Sequence, residues 1–166
     1  MSFSLVIPCY NEAENIPILV NKYRKFLINK KNELVFINNG SNDNTEEVFK
    51  KLKKKNKNIK TCKIKKNRGF GYGLKKGLKL SKKKYILYSH ADLEVDPKDI
   101  IKCINIFVKK KNHLRNRIFI KGNRVNKIKN HWSLSDLFFS YGQSIFSTIL
   151  FRKKLYDIHG QPVFFP

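Results

Sequence analysis

Just past the middle of the chain, three side chains with lone pairs to offer stand at alternate positions: His90, Asp92 and Glu94. They follow Tyr85-Ile86-Leu87-Tyr88-Ser89, an apolar run of β-prone residues, and Asp96-Pro97 closes the stretch. In an α/β protein, ligands bind just beyond the carboxyl ends of the strands. Alternate residues of an extended chain share a face, so the spacing predicts three donors directed one way into a ligand site. The signal stands out because the chain holds only 12 Asp and Glu against 36 Lys and Arg. Asp96 itself reads as a helix N-cap, with Pro97 at the first helical position.

The elements that must position these residues follow from apolar periodicity. Ser2–Ile7 reads as a first strand and Leu34–Ile37 as a second. Between them, Ile16, Leu19, Val20, Tyr23 and Leu27 fall on one face of a helix. Asn38–Thr45 is a cluster of turn formers, after which Asn44 and Glu47 form a capping pair for a helix with Val48, Phe49 and Leu52 inward. Ile59–Ile64 reads as a third strand. Asn67–Gly73 is a glycine loop opening a helix that ends near Leu80. Lys98–Val108 reads as a helix with Ile100, Ile101, Ile104, Phe107 and Val108 inward, and Ile118–Ile120 as a strand running into Gly122-Asn123-Arg124. Alternating strands and helices predict an α/β fold with a mostly parallel sheet flanked by helices.

At 166 residues the chain is one domain, long enough to bury a core. Cys9, Cys62 and Cys103 are scattered and outside metal spacing, and read as the reduced thiols of a cytosolic protein. Met1–Tyr10 does not read as a signal peptide. The net charge of +24 predicts an anionic partner: nucleic acid, an acidic membrane surface or a phosphorylated substrate. Richness in Lys, Asn and Ile together fits a genome poor in G and C, which accounts for part of that charge. The lysines are dispersed and no RNA-binding aromatic motif is present, so nucleic acid is not the expected partner.

Ser133–Phe151 is apolar nearly all round, yet Asp136, Gly142, Gln143 and several hydroxyls make it a poor membrane span. Two readings stay open. It is a helix in the membrane interface, with Arg152, Lys153 and Lys154 toward lipid phosphates, or an ordinary buried or partner-facing helix.

Four separated segments fall into one order: Val6-Ile7-Pro8-Cys9-Tyr10-Asn11-Glu12, Phe36-Ile37-Asn38-Asn39-Gly40-Ser41-Asn42-Asp43-Asn44-Thr45, Asn67-Arg68-Gly69-Phe70-Gly71 and His90-Ala91-Asp92-Leu93. With them the chain resembles, over nearly its whole length, the dolichol-phosphate-mannosyltransferase-like branch of glycosyltransferase family 2. The resemblance implies a glycosyltransferase-A fold with a Rossmann-like nucleotide-binding half. It implies an inverting transfer from a UDP- or GDP-linked sugar. Residues 1–125 would bind the nucleotide-sugar, and 126–166 would be an incomplete acceptor- and membrane-facing part of the same domain.

By family position, Pro8, Tyr10, Glu12, Ile37, Asn39 and Ala91 would line the nucleotide pocket. Asp92 would be catalytic, holding a Mg²⁺ or Mn²⁺ ion that bridges the diphosphate, with His90 and Glu94 as helpers. Gly122-Asn123-Arg124 resembles the family's Gly-Ser-Arg, which places Arg124 on phosphate. Asp157-Ile158-His159-Gly160-Gln161-Pro162 resembles the acceptor-side segment. That makes Asp157 the base or acceptor-positioning residue and Gln161 an acceptor contact. The implied acceptor is a polyprenyl phosphate at the cytosolic face of the membrane, or a glycan.

Two departures matter. The family's Asp-Asp-Gly-Ser is here Asn38-Asn39-Gly40-Ser41, and its Asp-Ala-Asp is His90-Ala91-Asp92. They keep open the reading of a degenerate or truncated transferase without activity, while the charge of +24 and thirteen phenylalanines keep open that of a basic nucleic-acid-binding protein.

Overall fold

A computed structural model describes residues 1–111, 117–124, 133–157 and 160–165. Its elements in chain order are β1 (Phe3–Cys9), α1 (Asn15–Lys22), α2 (Arg24–Ile28), β2 (Glu33–Asn39), α3 (Thr45–Lys55), β3 (Ile59–Ile64), α4 (Phe70–Leu80), β4 (Tyr85–Tyr88), α5 (Pro97–Val108), β5 (Ile120–Lys121), α6 (Leu134–Phe151) and β6 (Val163–Phe165). They form two compact units, Met1–Ile120 with Pro162–Pro166, and Lys121–Gln161.

The sheet has the strand order β3-β2-β1-β4-β6-β5. The first four strands run parallel, as the alternation predicts. Every residue of β1 and β2 is buried, as expected of central strands covered on both faces. Successive side chains alternate between two cores. Leu5, Ile7, Leu34 and Phe36 face one side with Ile16, Phe49, Ile100 and Phe107 of the flanking helices. Val6, Val35 and Ile37 face the other, under Leu74 and Leu78 of α4. α4 lies so close to the sheet that a Cβ at Gly77 would collide with Val6 Cγ1.

Three local expectations are corrected, and one strand is added. The helix expected over 16–27 bends at Tyr23 (φ −85°, ψ 8°). Tyr23 still donates to Leu19 O (2.8 Å) and accepts from Leu27 N (3.0 Å), so the apolar face carries through. Asn44 does not cap α3. Asp43 does so instead: its Oδ1 accepts from Thr45 N at 3.0 Å. β5 is Ile120–Lys121 rather than Ile118–Ile120. Finally, β6 was not anticipated. It pairs antiparallel with β4, Leu87 opposite Phe164, and buries Phe164 against Phe107 with ring centroids 4.3 Å apart.

In the second unit, Ser133 caps α6 through a reciprocal capping box with Asp136. No residue of α6 is buried; Leu134 is 86% exposed and Phe138 74%. Among the described residues, no helix is long and apolar enough to cross a membrane.

Candidate functional site

The carboxyl ends of β1, β2 and β4 and the loop before α4 enclose a cavity of about 200 Å³. Pro8, Tyr10, Glu12, Asn39 and Ala91 line it, as expected, and so do His90 and Asp92. Cys9, Asn67, Gly69 and Phe70 also line it; the sequence places them in motifs but assigns them no pocket role. Glycine spacing marks the loop of Asn67, Gly69 and Phe70, but which of its side chains face a ligand depends on how the loop folds back over β2, and Cys9 is the last residue of β1.

Hydrogen bonds lace the loops after β1 and β2 together. Asn11 N donates to Ser41 Oγ (3.0 Å), Asn42 N to Asn11 Oδ1 (2.9 Å), Glu12 N to Thr45 Oγ1 (3.1 Å) and Ala13 N to Asp43 Oδ2 (3.0 Å). Asn11 takes a left-handed conformation to do so (φ 57°), which its short polar side chain tolerates. Burial pushes the Asp43 carboxyl up, but the donors from Thr45 and Ala13 outweigh it and hold the group below its ordinary value. Glu12 is oriented by Asn15 Nδ2 at 2.7 Å. Burial, with the charges of Glu12 and Asp43, pushes the Cys9 thiol well above its ordinary value, so Cys9 is a wall and not a nucleophile.

The two asparagines that replace family acids are both engaged by neighbours. Asn38 is fully buried; it donates to Glu46 Oε2 (2.7 Å) and accepts from Ser41 N (2.9 Å). Asn39 donates to Asn67 Oδ1 (3.1 Å) and Gly69 O (3.0 Å), and accepts from Arg68 N (3.4 Å). Its amide thus latches the glycine loop onto the end of β2. Gly40 is the hinge: its φ is +78°, and a Cβ there would collide with Asn67 N.

The strand β4 ends at Tyr88, and the chain turns rather than staying extended. Leu93 adopts φ 65°, and Glu94 N donates to Asp92 Oδ1 at 3.1 Å. Glu94 is therefore exposed and lies off the cavity wall, and the expected one-way alignment of three donors does not form. Among the described residues, no three His, Cys, Asp or Glu side chains converge as a metal site. Two do approach: His90 Nδ1 lies 3.9 Å from Asp92 Oδ2, with side-chain exposures of 39% and 40%. The His90 ring stacks on Phe70, centroids 4.4 Å apart and planes at 20°. One carboxylate beside one imidazole suits a divalent ion that takes its remaining ligands from phosphate and water. Ile37 also departs from expectation. It is fully buried two residues inside β2 and sealed beneath α4, so it supports the pocket from below without lining it.

The remaining expected residues lie in the second unit. Asp157 is 4% exposed. Arg124 donates to it from NH2 (2.6 Å) and Nε (3.0 Å) to Oδ1, and from its backbone N (2.7 Å) to Oδ2. Asp157 takes a left-handed conformation (φ 42°), and Gly160 N donates to its carbonyl at 2.7 Å. Arg124 and Asp157, expected to act on phosphate and acceptor, are thus partners of each other. Both oxygens of the Asp157 carboxylate are thereby engaged within its own unit. Gln161 Oε1 is buried without a hydrogen-bond partner.

The family model described as Glycosyl transferase family 2 matches residues 4–165. Dolichyl-phosphate beta-glucosyltransferase of Dictyostelium discoideum is 33% identical over 115 residues, 64% of this chain and 35% of the relative. S. aureus TarS 1-349, solved in complex with UDP-GlcNAc, aligns with TM-score 0.54 and 25% identity over 65% of this chain and 31% of that one. The mannosyltransferase PcManGT from Pyrobaculum calidifontis, solved with GDP-Man and Mn²⁺, aligns with TM-score 0.59 and 16% identity over 77% of this chain and 37% of that one. The chain spans about a third of the length of each.

Proposed function

The chain belongs to glycosyltransferase family 2 and carries its glycosyltransferase-A fold, and from that premise we propose that it transfers a sugar from a UDP- or GDP-linked donor to a polyprenyl phosphate. The observation that carries the reading is the convergence of Tyr10, Glu12, Asn39, His90 and Asp92 on one cavity at the carboxyl edge of the parallel strands. The Dictyostelium relative, named for a dolichyl-phosphate acceptor, supports that branch.

The roles follow from the donors present. Tyr10 and Phe70 supply rings for the base, and Glu12 accepts from ribose hydroxyls. Asp92, helped by His90, would hold Mg²⁺ or Mn²⁺; the mannosyltransferase of like fold was solved in complex with GDP-Man and Mn²⁺. When bound, the ion offsets the negative charge that grows on the departing diphosphate. In the transfer, an acceptor oxygen bonds to the anomeric carbon from the face opposite the leaving group. The bond from that carbon to the diphosphate breaks, and the diphosphate departs with the electron pair. A lipid phosphate is ionised already and needs no base, whereas an alcohol acceptor does. The pairing of Asp157 with Arg124 therefore favours the phosphate acceptor over a glycan. The exposed apolar α6, with Arg152, Lys153 and Lys154 after it, supports a site of action at the cytosolic membrane face.

A transferase relative that binds donor without turnover is the second reading. Asn39 favours it, because both amide hydrogens are spent on the glycine loop. Calorimetric titration of UDP, GDP and their sugar conjugates, with and without Mn²⁺, followed by transfer to polyprenyl phosphate, separates the two. Metal-dependent binding with transfer supports the first. Binding without transfer supports the second, and no binding in any condition overturns both.

A further inference from the structure

A larger cavity, about 850 Å³, lies away from the donor pocket, between the α1–α2 pair and α5. Its rim is cationic: Lys22 and Lys25 on one wall, Lys98, Lys102 and Lys109 on the other. The α5 lysines recur at helical spacing on one stripe, while Ile100, Cys103 and Phe107 take the opposite stripe into the core. The floor is aliphatic, with Ile101 and Ile106, and Ile106 is 42% exposed. Asp96 is the one acid on the lining, and its Oδ1 is occupied in accepting from Lys98 N at 2.9 Å. A second cavity of about 430 Å³ shares Lys25 and Ile101 and extends the groove to Met1, itself 43% exposed.

We propose that this groove seats acidic phospholipid headgroups and docks the chain on an anionic bilayer. Lysine stems lie along apolar surface while their ammonium groups reach phosphate, and each lysine at an anionic surface raises partitioning about fivefold. Exposed isoleucine and methionine among the lysines gain from acyl chains and gain nothing from a soluble polyanion. No aromatic residue lines the larger cavity, so it lacks the stacking platform that single-stranded nucleic acid uses. The inference does not depend on the donor pocket being active, nor on α6.

The test is sedimentation of the full chain with vesicles of phosphatidylcholine alone and of phosphatidylcholine mixed with phosphatidylglycerol. Binding is expected to the mixed vesicles only. Lys25→Glu with Lys102→Glu should lower the partition coefficient at least about tenfold. The charge-matched pair Lys54→Glu with Lys55→Glu, exposed on α3, should lower it less than about threefold, because those lysines feel only the screened field of the bilayer. Ile106→Ser, which changes no charge, should weaken binding several-fold. The series is repeated in a Phe138→Ser, Ile145→Ser background, which strips apolar surface from α6, and the groove effect should persist there. Equal losses in the two double variants would reduce the result to adsorption by total charge and overturn the proposal. So would an unaffected Ile106→Ser, or variants that release a single-stranded RNA oligonucleotide while vesicle binding stays intact.

Discussion

The side-chain nitrogen of Asn39 lies 3.0 Å from the carbonyl oxygen of Gly69 and 3.1 Å from Asn67 Oδ1. Both partners are acceptors, so this position needs a donor, and aspartate cannot supply one when ionised. Restoring the family acid with Asn39→Asp should therefore destabilise the fold by about 1–3 kcal/mol. It should also weaken nucleotide binding, because the released loop carries Phe70 away from His90. Thermal unfolding and nucleotide titration of the same variant check both effects. An unchanged melting temperature would show that the latch does not hold the loop.

Asp92→Ala should abolish metal-dependent nucleotide binding while leaving the fold intact, since the side chain is 40% exposed and its hydrogen bond is the local one from Glu94 N. Binding that survives would remove Asp92 from the site. His90→Asp restores the carboxylate of the family pattern and should shift the metal preference from Mn²⁺ toward Mg²⁺, which favours oxygen ligands. Titrating both metals against wild type and variant reads the shift directly.

The Arg124–Asp157 pair is a coupling to be measured by a double-mutant cycle. With Arg124 at 36% side-chain exposure, we expect an interaction of about 1–2 kcal/mol, discounted for solvent screening. Asp157→Asn should lower thermal stability while leaving the pH profile of turnover unmoved. A profile whose acidic limb disappears in Asp157→Asn would instead make that residue the base.

Glu33 sets an acid limit on the fold. It is 2% exposed, with Lys60 Nζ at 2.7 Å, Ser4 Oγ at 2.7 Å and Lys82 N at 2.8 Å. Burial raises its carboxyl, but these donors and the Lys60 charge outweigh burial and bring it below its ordinary value of 4.5. A depressed carboxyl stabilises the fold above the unfolded-state value and loses that contribution as pH falls through the folded-state value. Stability should therefore fall with acid below about pH 4.5. The loss should be shallower in Glu33→Gln, which is itself destabilised by about 1–3 kcal/mol at neutral pH. Denaturant unfolding across that window compares the two slopes.

Much of the architecture was legible along the chain because its signals are local. Apolar runs in β1, β2 and β4, helical periodicity in α5 and the glycine loop before α4 placed the parallel core. The Asp96 cap formed with Lys98 N as read. The family motifs also named most of the cavity wall: Pro8, Tyr10, Glu12, Asn39, His90, Ala91 and Asp92. Side-chain direction was not legible. Alternation placed Glu94 beside Asp92 only on an extended chain, and one left-handed residue, Leu93, redirects it. Ile37 reads as a wall residue until α4 is seen to seal it from above.

What the residues decide by themselves is short-range: where strands and helices form, which loops carry donors, and that the chain is strongly basic. What the tertiary structure alone decided depends on contacts distant in sequence. Asp157 is spent on Arg124, 33 residues away, and Asn39 is spent on a loop 28 to 30 residues on. β6 returns from the end of the chain to pair with β4. Such pairings carry no periodicity, because each depends on which side chain another segment presents once both are folded.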